Sequence, residues 1–196
     1  MKAAGAVLLA GLLLASPTVR AAQATEATPA TIWSIDPTHT FVYFEVQLFG
    51  LSTQRGRFGR GRGELEFDAT ARRGRVDFVI DTASVNSGAP VLDEVLQSLL
   101  DSKNHPQARF VAERFTFEGS RVGAVEGQLS LRGQTAPLTL KAVRFDCYLN
   151  PLFRRQVCGG DFEATLRRSD WGLQGGSEAG LAESVKLLVQ IEAIAP

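Results

Sequence analysis

The chain carries two histidines, His39 and His105, and two cysteines, Cys147 and Cys158. His39 heads the run Ile35-Asp-Pro-Thr-His-Thr-Phe-Val-Tyr-Phe-Glu-Val and is the only candidate for a general base. Its place at a strand start suits a hydrogen-bonded anchor better than a base, with contact to a ligand head group between the two. A zinc site needs about four ligands and the histidines lie far apart in sequence, so no metal is expected. Neither a Gly-x-Ser-x-Gly elbow nor a His-Glu-x-x-His pair occurs. The carboxylates fall mostly on the outward phase of strand-like runs, where solvation is their default role. No catalytic residue is assigned, and the chain does not read as an enzyme.

Two arginine-bearing stretches remain. Arg55-Gly-Arg-Phe-Gly-Arg-Gly-Arg-Gly63 has the look of a phosphate cradle, but no Lys-Ser/Thr follows its glycines as a P-loop requires. A strand whose glycines let a wall bend is the better reading. Contact of one of these arginines with an anionic group at a rim is the lesser one. Arg168-Ser-Asp-Trp-Gly172 closes another run. Its structural reading pairs Arg168 with Asp170, buries Trp171 and turns the chain at Gly172; its functional reading places Arg168 beside a ligand head group.

The elements that hold these residues follow a leader. Met1-Lys2, the apolar run Ala3–Ala15 and Ala22-Gln23-Ala24 form the pattern of a secretory signal over residues 1–24, cleaved after Ala24, with a polar lead-in at 25–31. Periplasmic export is the expectation. The whole chain has 21 basic and 21 acidic residues. Loss of Lys2 and Arg20 leaves 19 against 21, or −2, which gives no reason to expect a nucleic-acid partner. In an oxidising compartment Cys147 and Cys158 read as a disulfide across a hairpin that turns at Asn150-Pro151, in preference to a zinc or redox pair.

Alternating runs at 40–48, 64–68, 75–81, 108–117, 125–131, 137–147, 157–167 and 184–194 each show the half-buried strand pattern. Pro90–Leu100 breaks that period with apolar residues at 91, 92, 95, 96, 99 and 100, the stripe of a short helix over about 90–101. Eight strands with one inserted helix fit an all-β antiparallel barrel in a single domain over 32–196. A sandwich is the alternative.

The ordered set IDPTHTFVYFEV, GRF at 56–58, Ala83-Ser84-Val85, LDEVL, HPQARF, EGQLSLRG and RRSDWGL resembles the YceI-like family, the polyisoprenoid-binding proteins of bacteria, over essentially 32–194. The resemblance implies an extended lipocalin-like eight-stranded barrel around a long apolar channel. Its ligand would be a polyisoprenoid, an isoprenoid quinone or a fatty-acid derivative, with no other cofactor. Carried onto this chain, the channel lining is Val42, Phe44, Val46, Phe58, Leu65, Phe67, Val76, Phe78, Ile80, Phe110, Leu129, Leu131, Leu140, Phe162, Leu166 and Trp171. The head-group candidates are His39, Arg168 and Asp170. Members are often dimeric, so a homodimer is among the implied states. An alternative from the same resemblance is a dry-cored barrel that docks to a membrane redox protein of the cytochrome b561 type. The sequence departs from the family pattern at Thr40, Leu99-Leu100 and Trp171, which bears on channel shape. The cysteine pair is not general to the family and suggests a subgroup.

Overall fold

A computed structural model describes residues 31–178 and 180–196. The leader expected at 1–24 and all but the last residue of the lead-in lie outside the described residues. Eleven strands form one antiparallel sheet: β1 (Ile32–Ile35), β2 (Phe41–Leu48), β3 (Ser52–Phe58), β4 (Gly61–Asp68), β5 (Arg73–Asp81), β6 (Val85–Asn86), β7 (Gln107–Glu118), β8 (Arg121–Leu131), β9 (Gln134–Asn150), β10 (Arg155–Arg167) and β11 (Leu181–Ile194). Among the described residues one α-helix, α1, spans Pro90–Leu99 with Leu100 as its cap.

The first six strands are three long ones, each broken once. β1 and β2 run along the same neighbour, β11, at Ser34↔Ile194 and Phe41↔Gln190. β3 pairs with β2 and β4 with β1, while β5 pairs with β4 and β6 with β3. Counted this way, eight strands meander up and down, and the β1–β11 pairing closes the barrel. Closure leaves no long free edge in the wall. The breaks at 36–40, 59–60 and 82–84 divide an end that carries α1 from an end that carries the disulfide.

Of the glycines in 55–63, Gly59 lies in the break between β3 and β4 with open space around it, as a bend in the wall requires, whereas Gly56 and Gly61 answer to close packing. A Cβ on Gly56 would stand 2.4 Å from the Phe44 ring, and one on Gly61 would stand 2.5 Å from the Phe78 ring. The arginines between them face outward: Arg55 pairs with Glu45 at 2.7 Å, Arg60 with Asp81 at 2.8 Å, and Arg57 lies over the Phe41 ring. Three partners on the outer wall account for three of the four arginines, and none of the four lines the barrel interior.

α1 stands where strand pairing fails. β7 pairs with β5 up to Asp81↔Gln107, and β6 has β3 as its only strand neighbour. The helix fills that gap. Pro90 occupies its first turn, where the missing N–H costs nothing, and Asp93 accepts hydrogen bonds from the Ser87 backbone N–H and hydroxyl, both at 2.6 Å. No residue of α1 is fully buried. Leu96 and Leu99 turn inward, whereas Val91 and Val95 are exposed.

Candidate functional site: an apolar interior

Inward-facing side chains leave two spaces inside the barrel. The larger, about 130 Å³, lies at the helix end. Val42, Phe44 and Val46 of β2, Phe58 of β3, Ile80 of β5, Val85 of β6 and Leu129 and Leu131 of β8 form its wall. Leu166 of β10 and Val185 and Leu187 of β11 complete it, with Leu96, Leu99 and Leu100 as its cover. Every lining side chain is apolar except Arg168. The smaller space, about 40 Å³, lies toward the disulfide and is lined by Leu65, Val76, Phe78, Phe110, Leu140 and Phe162 among others.

Phe67 belongs to neither lining. It sits in an aromatic cluster, edge-on to Phe145 at 5.0 Å and stacked on Phe117 at 6.4 Å, which fills the disulfide end. Trp171 is buried in the core but lines neither space. The remaining lining residues expected from sequence face one space or the other.

The three polar candidates separate. Arg168 is buried, 5% exposed, in a short 3₁₀ turn after β10. Its guanidinium donates to the carbonyls of Ala182 (2.8 Å), Leu173 (3.0 Å), Leu181 (3.2 Å) and Gly175. These four bonds draw the segment 173–182 across the helix end of the barrel. Among the described residues no carboxylate lies within ion-pair distance of Arg168, so the expected pairing with Asp170 does not form; carbonyl dipoles take its place. Such a charge, removed from water and unmatched by an anion, is costly unless hydrogen-bonded, and it attracts negative or strongly polar groups. Asp170 is exposed and lines neither space. Gly172, at φ 65°, turns the chain as expected.

His39 lies on the outer wall at the β1–β2 break, away from both spaces. Its Nδ1 is 2.8 Å from the Asp36 carboxylate, and its backbone carbonyl accepts from Gln190 at 3.1 Å. The hydrogen bond to Asp36 raises its pKa against a small loss of hydration. Burial pushes Asp36 upward, but hydrogen bonds from Thr38 and His39 outweigh it and hold the carboxyl below its usual range. Asp36, His39 and Glu192 bring three groups of ligating type within 4.8 Å of one another. Beside them Thr40 is 1% exposed, and its hydroxyl reaches the Glu192 backbone. The cluster fastens the strand break to β11, the anchoring role anticipated for His39. Cys147 and Cys158 form the expected disulfide, across a directly opposed pair of β9 and β10.

An antiparallel barrel with an apolar interior, one buried cation among the described residues and a helix across the gap in its wall is the lipocalin-type architecture of a binding protein. More particularly, the chain belongs to the YceI-like domain family, whose model matches residues 33–193. A UPF0312 protein of Shewanella denitrificans is 36% identical over 107 residues, 53% of this chain and 56% of the relative, so the match spans about half of that relative's length. A UPF0312 protein of Pseudomonas putida is 27% identical over 80% of this chain and 81% of its own. Among solved structures, BcnA of Burkholderia cenocepacia aligns with TM-score 0.64 and 20% identity over 81% of this chain and 99% of its own. A polyisoprenoid-binding domain from Saccharophagus degradans aligns with TM-score 0.63 and 17% identity over 86% of this chain and all of its own. At such identities the likeness establishes the lipocalin-type fold.

Proposed function

We propose that the protein is a periplasmic carrier that holds one long-chain amphiphile, a polyisoprenoid, isoprenoid quinone or fatty-acid derivative, with its chain in the barrel and its polar head toward Arg168. The observation that carries this reading is the helix-end cavity, apolar on every side but for one buried guanidinium. An unfilled interior of this kind also weighs against a dry-cored docking protein. Burial of each methylene is worth roughly 0.8 kcal/mol, so a chain of a dozen binds with little polar recognition once immobilisation is subtracted.

The cavity as it stands, about 130 Å³, is smaller than the roughly 300–1,000 Å³ typical of ligand pockets. A long chain therefore enters by displacing α1, the element of the enclosure with no fully buried residue. Native mass spectrometry of protein exported by its own leader and gently purified tests the proposal. A lipid adduct of defined mass is expected. Protein that arrives at its bare chain mass, and takes up neither quinone nor prenyl lipid from detergent, would overturn it.

A further inference from the structure

The β9–β10 hairpin reaches beyond the barrel wall at the disulfide end. β8 stays paired with β9 only as far as Ala124↔Lys141, and β11 with β10 only as far as Ile194↔Val157. Beyond Gln156, whose carbonyl still accepts from the Ala195 N–H at 2.9 Å, residues 149–155 pair only within the hairpin, at Leu149↔Gln156 and Asn150↔Arg155. The two neighbouring turns at this end, 69–72 and 119–120, hold no large apolar residue. The hairpin tip holds several: Leu152 is 88% exposed, Leu149 64% and Phe153 49%.

This tip is stiff as well as apolar. The Asn150 side chain accepts from the Leu152 N–H at 3.0 Å, and its carbonyl accepts from the Arg154 N–H at 2.9 Å. Pro151 fixes one dihedral, Arg154 closes the turn at φ 53°, and the disulfide clamps the two strands three pairs below. Order imposed in advance on exposed apolar side chains lowers the entropic cost of inserting them elsewhere. The charge pattern is one-sided. Arg154 and Arg155 sit beside the apolar apex, and no acid occurs between the two cysteines. Neither arginine is ion-paired among the described residues, whereas Arg144 lower on the same ribbon pairs with Asp161. Asp146, next to Cys147, lies below the disulfide and accepts from the Cys147 N–H.

We infer that this disulfide-clamped tip is a membrane-surface contact: Leu152 and Phe153 enter the boundary between head groups and acyl chains, while Arg154 and Arg155 meet anionic phospholipid phosphates. An apolar apex beside cations matches the layering of a bilayer surface, where long basic side chains keep their charge at head-group level. Each basic residue held at an anionic surface is worth about a fivefold change in partitioning. The contact lies at the opposite end from α1, so a docked barrel turns its larger cavity away from the bilayer that holds it.

Co-sedimentation of the exported protein with vesicles of phosphatidylcholine containing 30% phosphatidylglycerol tests the contact, with pure phosphatidylcholine as the comparison. Wild-type protein is expected to bind the anionic vesicles and to lose binding as salt rises. Leu152→Ser with Phe153→Ser should weaken binding at least about tenfold, and Arg154→Ser with Arg155→Ser by about fivefold per arginine. Unchanged thermal unfolding and an intact disulfide by mass confirm that each variant is folded; Leu152→Ser alone serves if a double variant is not. Absence of wild-type binding, or equal binding by wild type and tip variants, overturns the proposal. So does a tip-dependent dimer in light scattering without vesicle binding, which would assign the tip to a second copy of the chain. The inference goes beyond the carrier reading: bare-mass protein in native mass spectrometry defeats the carrier and leaves the vesicle result standing.

Discussion

At the disulfide end of the barrel, Phe67, Phe115, Phe117, Phe145 and Phe162 meet ring against ring, with centroids 5.0–6.4 Å apart in the contacting pairs. At the helix end, mostly aliphatic side chains from eight strands, with the rings of Phe44 and Phe58, surround a cavity about three times the volume of the space near the disulfide. The first end is nearly filled by its own residues and cross-linked. The second is left incomplete and covered by a helix that buries no residue fully. One wall of alternating strands therefore builds both a closely packed, cross-linked base and a loosely packed end. What separates them is which side chains point inward and whether a strand or a helix completes the wall.

One truncation at each end should expose the difference most strongly. Phe162→Ala, at a site 5% exposed and in contact with Phe145, is expected to cost about 3–5 kcal/mol in urea unfolding. Leu99→Ala, on the half-buried face of α1 and beside existing free space, should cost under about 1 kcal/mol, because few atoms lose packing partners. Equal costs would break the comparison. Next in size is the cross-link: replacement of Cys147 and Cys158 by Ser should lower stability by about 3 kcal/mol, read as a lower urea midpoint, without loss of any lipid held at the far end.

The strand count and the helix were legible because inward positions alternate in most of the wall. β3 was legible only as part of the glycine-broken strand at 55–63, not by alternation, for a physical reason. Its residues directly opposite Val46, Phe44 and Val42 are Gln54, Gly56 and Phe58, and the volume missing at Gly56 is supplied by the Phe44 ring from the next strand. A strand that borrows its core volume shows no apolar period. The polar candidates were legible as residues but not as places. Arg168 looked like half of an ion pair or a head-group ligand; only the path of 173–182 reveals that four carbonyls hold it inside the barrel. His39 immediately precedes Thr40 at the head of the inward phase Val42, Phe44 and Val46, and pairing with β11 leaves its imidazole outside.

A ligand should act on one end alone. At a free concentration about 100 times its Kd, a bound prenyl lipid is expected to raise unfolding free energy by about 2.7 kcal/mol. Val85→Phe, which puts a ring into the larger cavity, should abolish that gain and leave the effect of the disulfide unchanged. Hydrogen exchange would sharpen the contrast further: protection gained on ligand addition should concentrate at 90–105 and 173–182. Uniform protection over the aromatic end would show that the two ends open together.

The smallest effect belongs to the boundary between the ends, where His39 and Asp36 hold the first strand break. His39 is raised above its ordinary 6.5 in the folded chain, so its contribution is fully present below pH about 6.5 and disappears as pH rises through the folded value. Asp36 is lowered from 3.8; its contribution is present above the unfolded value and is lost as pH falls through the folded one. The pair is therefore strongest in mildly acidic solution, between those limits. The imidazole side chain is 60% exposed, and solvent screening holds its share below about 1 kcal/mol. His39→Ala should remove the stability loss that begins as pH rises above about 6.5 and leave lipid retention intact. If it instead released the lipid, the break would be coupled to the helix end, and the division of the barrel into a closely packed base and a loosely packed end would have to be redrawn with β2 on the loosely packed side.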